Sequence, residues 1–184
     1  MAGAARVIAS RGEVVGQALR SAVEALRLAR RELEAADADP ARWRWVALGL
    51  VTALQGSLVA ALAGYETAED DAIRNPSSPD RIAPTALLLR RSRSNDYLVP
   101  PERVKLAAGQ IRRIERVIEL RNSAVHGLDF EVHEGVRDDI RAVLDLIEHL
   151  VFRHPAFDPK GYQLLLALIS DEVRAVRGLV SASA

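Results

Sequence analysis

Trp45 to Tyr65 reads WVALGLVTALQGSLVAALAGY, twenty-one residues without a charge. A run of that length can cross a bilayer. It can equally be the central helix of a soluble bundle, apolar on every side because every side is covered. Thr52, Gln55 and Ser57 lie near its middle, and eight Ala and Gly residues match eight Leu and Val, which favours the second reading. It is also the only such stretch, and its neighbours are amphipathic and charged. The expectation is a buried core helix from about Ala41 to Ala63, with no membrane association.

Working outward, the preceding segment from about Gly12 to Ala36 places Val15, Leu19, Ala22, Leu26, Ala29 and Leu33 at alternating spacings of three and four. That is one apolar stripe on a helix. Asp39-Pro40 separates the two, supplying a cap and a first-turn proline. After the uncharged helix comes a polar connection, Gly64 to Ala83, with five acidic residues and the turn-rich Asn75-Pro76-Ser77-Ser78-Pro79. Its length suggests a mobile or functional loop. A short apolar piece, Pro84 to Leu89, then runs into Arg90-Arg91-Ser92-Arg93.

Pro100-Pro101-Glu102 is expected to open a further helix reaching Val125, with Val104, Ala107, Ile111, Ile114 and Ile118 inward and Gly127 as its stop. Leu128 to His133 alternates and reads as extended. A fifth helix, Glu134 to Phe152, aligns Val136, Ile140, Val143, Ile147 and Leu150. Asp158-Pro159 starts a last one with Tyr162, Leu165, Ile169, Val173, Val176 and Val180 inward. No stretch reads as a sheet. The expectation is an all-α, up-and-down bundle of four long helices plus shorter ones, a single domain over 1–184 with its core in 12–152 and an additional C-terminal helix over 158–181.

Composition narrows the chemistry. The 184 residues carry 25 Lys+Arg against 25 Asp+Glu and no cysteine. That removes disulfides, thiolate metal sites and a cysteine nucleophile, and agrees with a cytoplasmic setting. Met1 to Ser10 has no long apolar core of the kind a secretory leader needs. Neutral total charge and few aromatics exclude a generally basic or stacking nucleic-acid binder. The neutrality is an average, however: Arg81 to Arg121 holds ten basic and four acidic residues. Charge runs of that kind are usually solvated faces.

Continuing the stripe of the fourth helix from Ile114 and Ile118 puts Arg121 on a buried or interfacial side, where a guanidinium needs a partner or a cleft. A carboxylate such as Glu119 or Asp145 would serve. Asn122 follows, and His126 comes five residues later beside Gly127. On a straight helix Arg121 and His126 stand about 140° apart. They meet only if the last turn unwinds or a second copy brings its own pair. His149 and His154 with Glu148 have no zinc-like spacing, His133-Glu134 reads as a helix entry, and Glu66, Glu69, Asp70 and Asp71 match no standard oxygen-ligand loop. The residues therefore call for no metal or cofactor.

Arg121-Asn122-Ser123-Ala124-Val125-His126 resembles the signature of the HEPN superfamily, small helical bundles with an Arg, a polar residue and a His a few positions on. The apolar second helix is similar to that of many such domains. The resemblance implies metal-independent RNA cleavage in which His126 is acid and base, Arg121 steadies the phosphate and Asn122 orients. It implies a homodimer with a composite cleft, in a toxin or defence setting that can include an antitoxin protein. Arg90, Arg91, Arg93, Arg112 and Arg116 would form a basic RNA-binding rim. The toxin branch regulated by adenylylation carries a Tyr two residues after the His; Leu128 stands there instead, against that mode of control. Non-catalytic members that bind RNA, nucleotide or a protein partner are the alternative.

Overall fold

Why the chain turns helical at Arg11 is visible in its first side chains. Ser10 Oγ accepts the Glu13 amide at 3.3 Å while Glu13 Oε2 accepts the Ser10 amide at 2.6 Å, a reciprocal cap that satisfies two donors the helix start leaves free. The computed structural model describes residues 10–127 and 130–182. In it, α1 spans Arg11–Leu33, and a 3₁₀ turn over Pro40–Arg42, capped by Asp39, leads into α2, Trp43–Gly64. Thr85–Ser92 forms α3, Ala108–His126 α4, Val136–Glu148 α5 and Gln163–Ala182 α6.

α2 is the centre of the bundle. Val46, Leu50, Ala53, Leu54, Leu58 and Leu62 are fully enclosed, and α1, α3, α4 and α5 all pack against it. It is long and apolar enough to cross a membrane, the only such helix among the described residues, and most of its surface is covered by this protein. Two glycines set the closest approach. A Cβ on Gly49 would stand 2.6 Å from the Ala25 carbonyl oxygen, and one on Gly56 2.7 Å from that of Ala18. The all-helical bundle read from sequence is the architecture found, with all six expected α1 residues buried. α6 belongs to the same core, since Ile169, Val173, Val176 and Val180 are closed from solvent and α6 packs on α1.

Three local expectations are corrected. The acidic connection is organised rather than loose: Asp70–Ile73 is a 3₁₀ turn, and β1 (Arg74–Asn75) pairs antiparallel with β2 (Ser78–Ile82). The fourth helix starts at Ala108, eight residues after Pro100. Residues ahead of it are spent otherwise, the Val104 amide donating to the Ser92 carbonyl at 3.0 Å, and Ala107 is exposed rather than inward. Finally α5 passes into a single π-helical turn, His149–Arg153, before the chain breaks away. The alternation from Leu128 falls partly on residues 128–129, outside the described ones, as does the segment before Ser10.

Candidate functional site

The last turn of α4 holds the Arg-Asn-x-x-x-His stretch. Ile114, Val117, Ile118 and Leu120 bury the helix as far as its middle, and beyond them it emerges: Asn122, Ser123, Val125 and His126 are all exposed. Regular helix continues to His126, so Arg121 and His126 stay about 140° apart on one chain. The stop is not a left-handed turn. Gly127 is extended, with φ −89°, and donates its amide to the Ser123 carbonyl at 2.8 Å.

Arg121 is half-buried and its NH1 donates to Asn122 Oδ1 at 2.8 Å. Its Nε is shut from solvent and meets no acceptor among the described residues. Asn122 and His126 are four residues apart and share one solvent-facing side. So Asn122 links the two: its oxygen holds Arg121 while its side chain lies on the His126 face. Among the described residues no carboxylate pairs with Arg121, neither Glu119 nor Asp145; Asp145 is engaged by Arg177 at 2.9 Å instead.

Among the arginines assigned to a rim, two have other work. Arg91 is buried and its NH1 donates to the carbonyls of Asp71, Ala72 and Arg74 at 3.3, 3.1 and 2.8 Å. It is the peg on which the acidic connection hangs, and not an RNA contact. Arg116 gives Nε to Asp139 Oδ2 at 2.7 Å and NH2 to Oδ1 at 2.5 Å, a bidentate pair that raises its already high pKa. Arg90, Arg93 and Arg112 are exposed, and none joins an ion pair among the described residues.

The pair just named includes a residue that sequence reasoning missed. Asp139 has no exposed surface at all, and His133 Nε2 lies 2.7 Å from its Oδ2. A carboxylate only accepts, so Nε2 is the donor, and in the neutral imidazole the lone pair is then on Nδ1. The signal was present: Asp139 stands three residues after Val136 and four before Val143, inside the apolar stripe of α5. Phe130 and Val132 pack on the core, and Arg44 stacks over the Phe130 ring at 5.5 Å, so the chain returning from α4 carries His133 back to the level of Arg116.

Elsewhere, the His149 and His154 rings lie 5.0 Å apart, and no group of three or more potential ligands is placed to hold a metal ion among the described residues. No family model matches the chain, and neither the curated proteins nor the solved structures contain a match to it.

Proposed function

We propose that this chain is a HEPN-like endoribonuclease that cleaves RNA without a metal ion and works as a homodimer in the cytoplasm. The observation that supports the reading is the end of α4, where an exposed His126, an exposed Asn122 and the guanidinium that Asn122 holds fall within two helical turns. Chemically the set suits a phosphodiester with a neighbouring hydroxyl. The 2′-oxygen attacks phosphorus, the bond to the 5′-oxygen breaks, and a 2′,3′-cyclic phosphate and a 5′-hydroxyl result. His126 moves the proton from the 2′-hydroxyl toward the leaving oxygen, an imidazole being able to act as base and then as acid. Arg121 offers donors in the planar fork that fits phosphate oxygens.

Because the helix stays regular, one chain turns its two motif residues to different sides. A second copy, with its own α4 end opposite, closes a cleft in which Arg121 of one subunit serves the phosphate met by His126 of the other. A toxin or defence role with an antitoxin protein as partner is part of the same proposal. One observation favours a binding module instead: Glu115 and Glu119 share the exposed face of α4 with His126, and Arg91 is already committed.

RNA cleavage with chelator present separates the two. Wild type is expected to leave cyclic phosphate ends, and His126→Ala to lose about 10²–10⁴-fold in rate. Binding without cleavage by wild type selects the module; cleavage unchanged in His126→Ala refutes the role of His126.

A further inference from the structure

Cleavage by internal attack needs two proton transfers, one from the 2′-hydroxyl and one to the 5′-oxygen, on opposite sides of phosphorus. His126 alone must do both. Between α4 and α5 the fold places a second histidine where a base could act. Asp139, 1% exposed in its side chain, binds His133 through one oxygen and Arg116 through both. The ring is thereby oriented with Nε2 as the donor, so that in the neutral imidazole Nδ1 is the acceptor, and the side chain remains 35% exposed. Arg116 is 45% exposed, and its NH1 is not used by Asp139.

We propose that His133, with Asp139 as its positioning residue, takes the proton from the ribose 2′-hydroxyl, while Arg116 NH1 hydrogen-bonds the phosphate it flanks. The 5′-oxygen receives its proton from His126; after turnover the proton gained at Nδ1 is lost to solvent and His126 regains one from solvent. This rests on the ribonuclease reading above for its substrate. Arg116 and His126 are ten residues apart, about 15 Å along the helix axis, so one chain cannot bring both histidines to one phosphate. Two antiparallel α4 helices can, where the two-fold axis lies level with residue 121 on the side that positions 116 and 126 share, about 80° apart. Position 116 of one copy then faces position 126 of the other, while Arg121, about 140° from each, lies beside that contact rather than on the axis.

The test uses His133→Gln, whose amide N–H still donates to Asp139, so that the clamp survives and the titrating nitrogen does not. On a pool of single-stranded and structured RNAs, kcat is expected to fall about 10²–10⁴-fold with KM and melting temperature near wild type. Asp139→Asn should likewise lower kcat more than KM. Full cleavage by His133→Gln overturns the inference and leaves the ribonuclease reading standing; no cleavage by wild type overturns both. Co-expressed His126→Ala and His133→Gln chains should recover about one quarter of wild-type activity, since half the dimers are mixed and each mixed dimer has one intact site of two. Inactivity of that mixture, with both parents inactive, overturns the sharing of a site between subunits.

Discussion

Replacing Gly49 by Ala tests the packing that makes α2 a core helix. The added methyl would sit 2.6 Å from the Ala25 carbonyl oxygen, 2.8 Å from the Ala29 nitrogen and 3.0 Å from the Ala29 Cβ. All three belong to α1 and two are main chain, so no side chain can swing aside. A carbon and a carbonyl oxygen in contact stand about 3.3 Å apart or more, so α1 has to retreat by about 0.7 Å. A gap of that size forfeits between a quarter and a half of the dispersion energy of each contact along the seam. Overpacking of this kind costs about 1–3 kcal/mol, and the main-chain clash places Gly49 at the upper end. Alanine returns about 1 kcal/mol through helix propensity. The net loss is therefore about 2 kcal/mol, a fall of about 4–8 °C in melting temperature for a chain of this length. Gly178, on α6, has nothing within 4 Å of its would-be Cβ. Gly178→Ala should stabilise by about 0.5–1 kcal/mol. Gly56→Ala pushes α1 in the same way from 2.7 Å, and one retreat relieves both clashes, so the double variant should lose less than the two single losses added. Urea unfolding followed by far-ultraviolet circular dichroism measures all four. Gly49→Ala stabilising the protein as Gly178→Ala does would refute the α1–α2 packing.

Arg91→Ala strips a buried donor from three carbonyls and should cost about 2 kcal/mol or more, with faster proteolysis between residues 64 and 83, whereas Arg90→Ala should change stability by less than about 0.5 kcal/mol. Ser10→Ala, by removing the α1 cap, should cost about 0.5–2 kcal/mol by the same unfolding assay. Burial, and after it the neighbouring His154, hold the His149 imidazole below its ordinary pKa. The unfolded ring titrates near about 6.5, so below that pH the unfolded chain binds the proton first, and stability falls until the folded ring is protonated as well. Melting temperatures from pH 7.5 down to 5 should show this loss, and His149→Gln should flatten it; an equal slope in the variant would assign the loss to other groups.

Helices were legible here wherever one physical pattern had to be obeyed along a whole face. Leu19, Leu26 and Leu33 on α1, or Ile140, Val143 and Ile147 on α5, announce burial because their spacing has no other use. Charged residues were harder to read, since each has two destinations and only the third dimension chooses. Arg90 and Arg91 are adjacent in a run of like charge, yet one faces solvent and the other is closed off under three carbonyls. What separates them is the 100° between successive helix positions, together with a hairpin over Arg74–Ile82 that sequence alone did not suggest. The same reasoning redistributes weight within the candidate site. Arg121 and His126 were found by their order in the chain, and they remain on different sides of α4. Arg116, His133 and Asp139 span twenty-four residues, have no motif to announce them, and are joined by hydrogen bonds of 2.5 to 2.7 Å. A short motif marks residues that a reaction can use, whereas a buried carboxylate with two cationic or titrating partners marks residues that the fold has already oriented. If the chain acts on RNA, loss of either histidine should therefore lower kcat while sparing the fold.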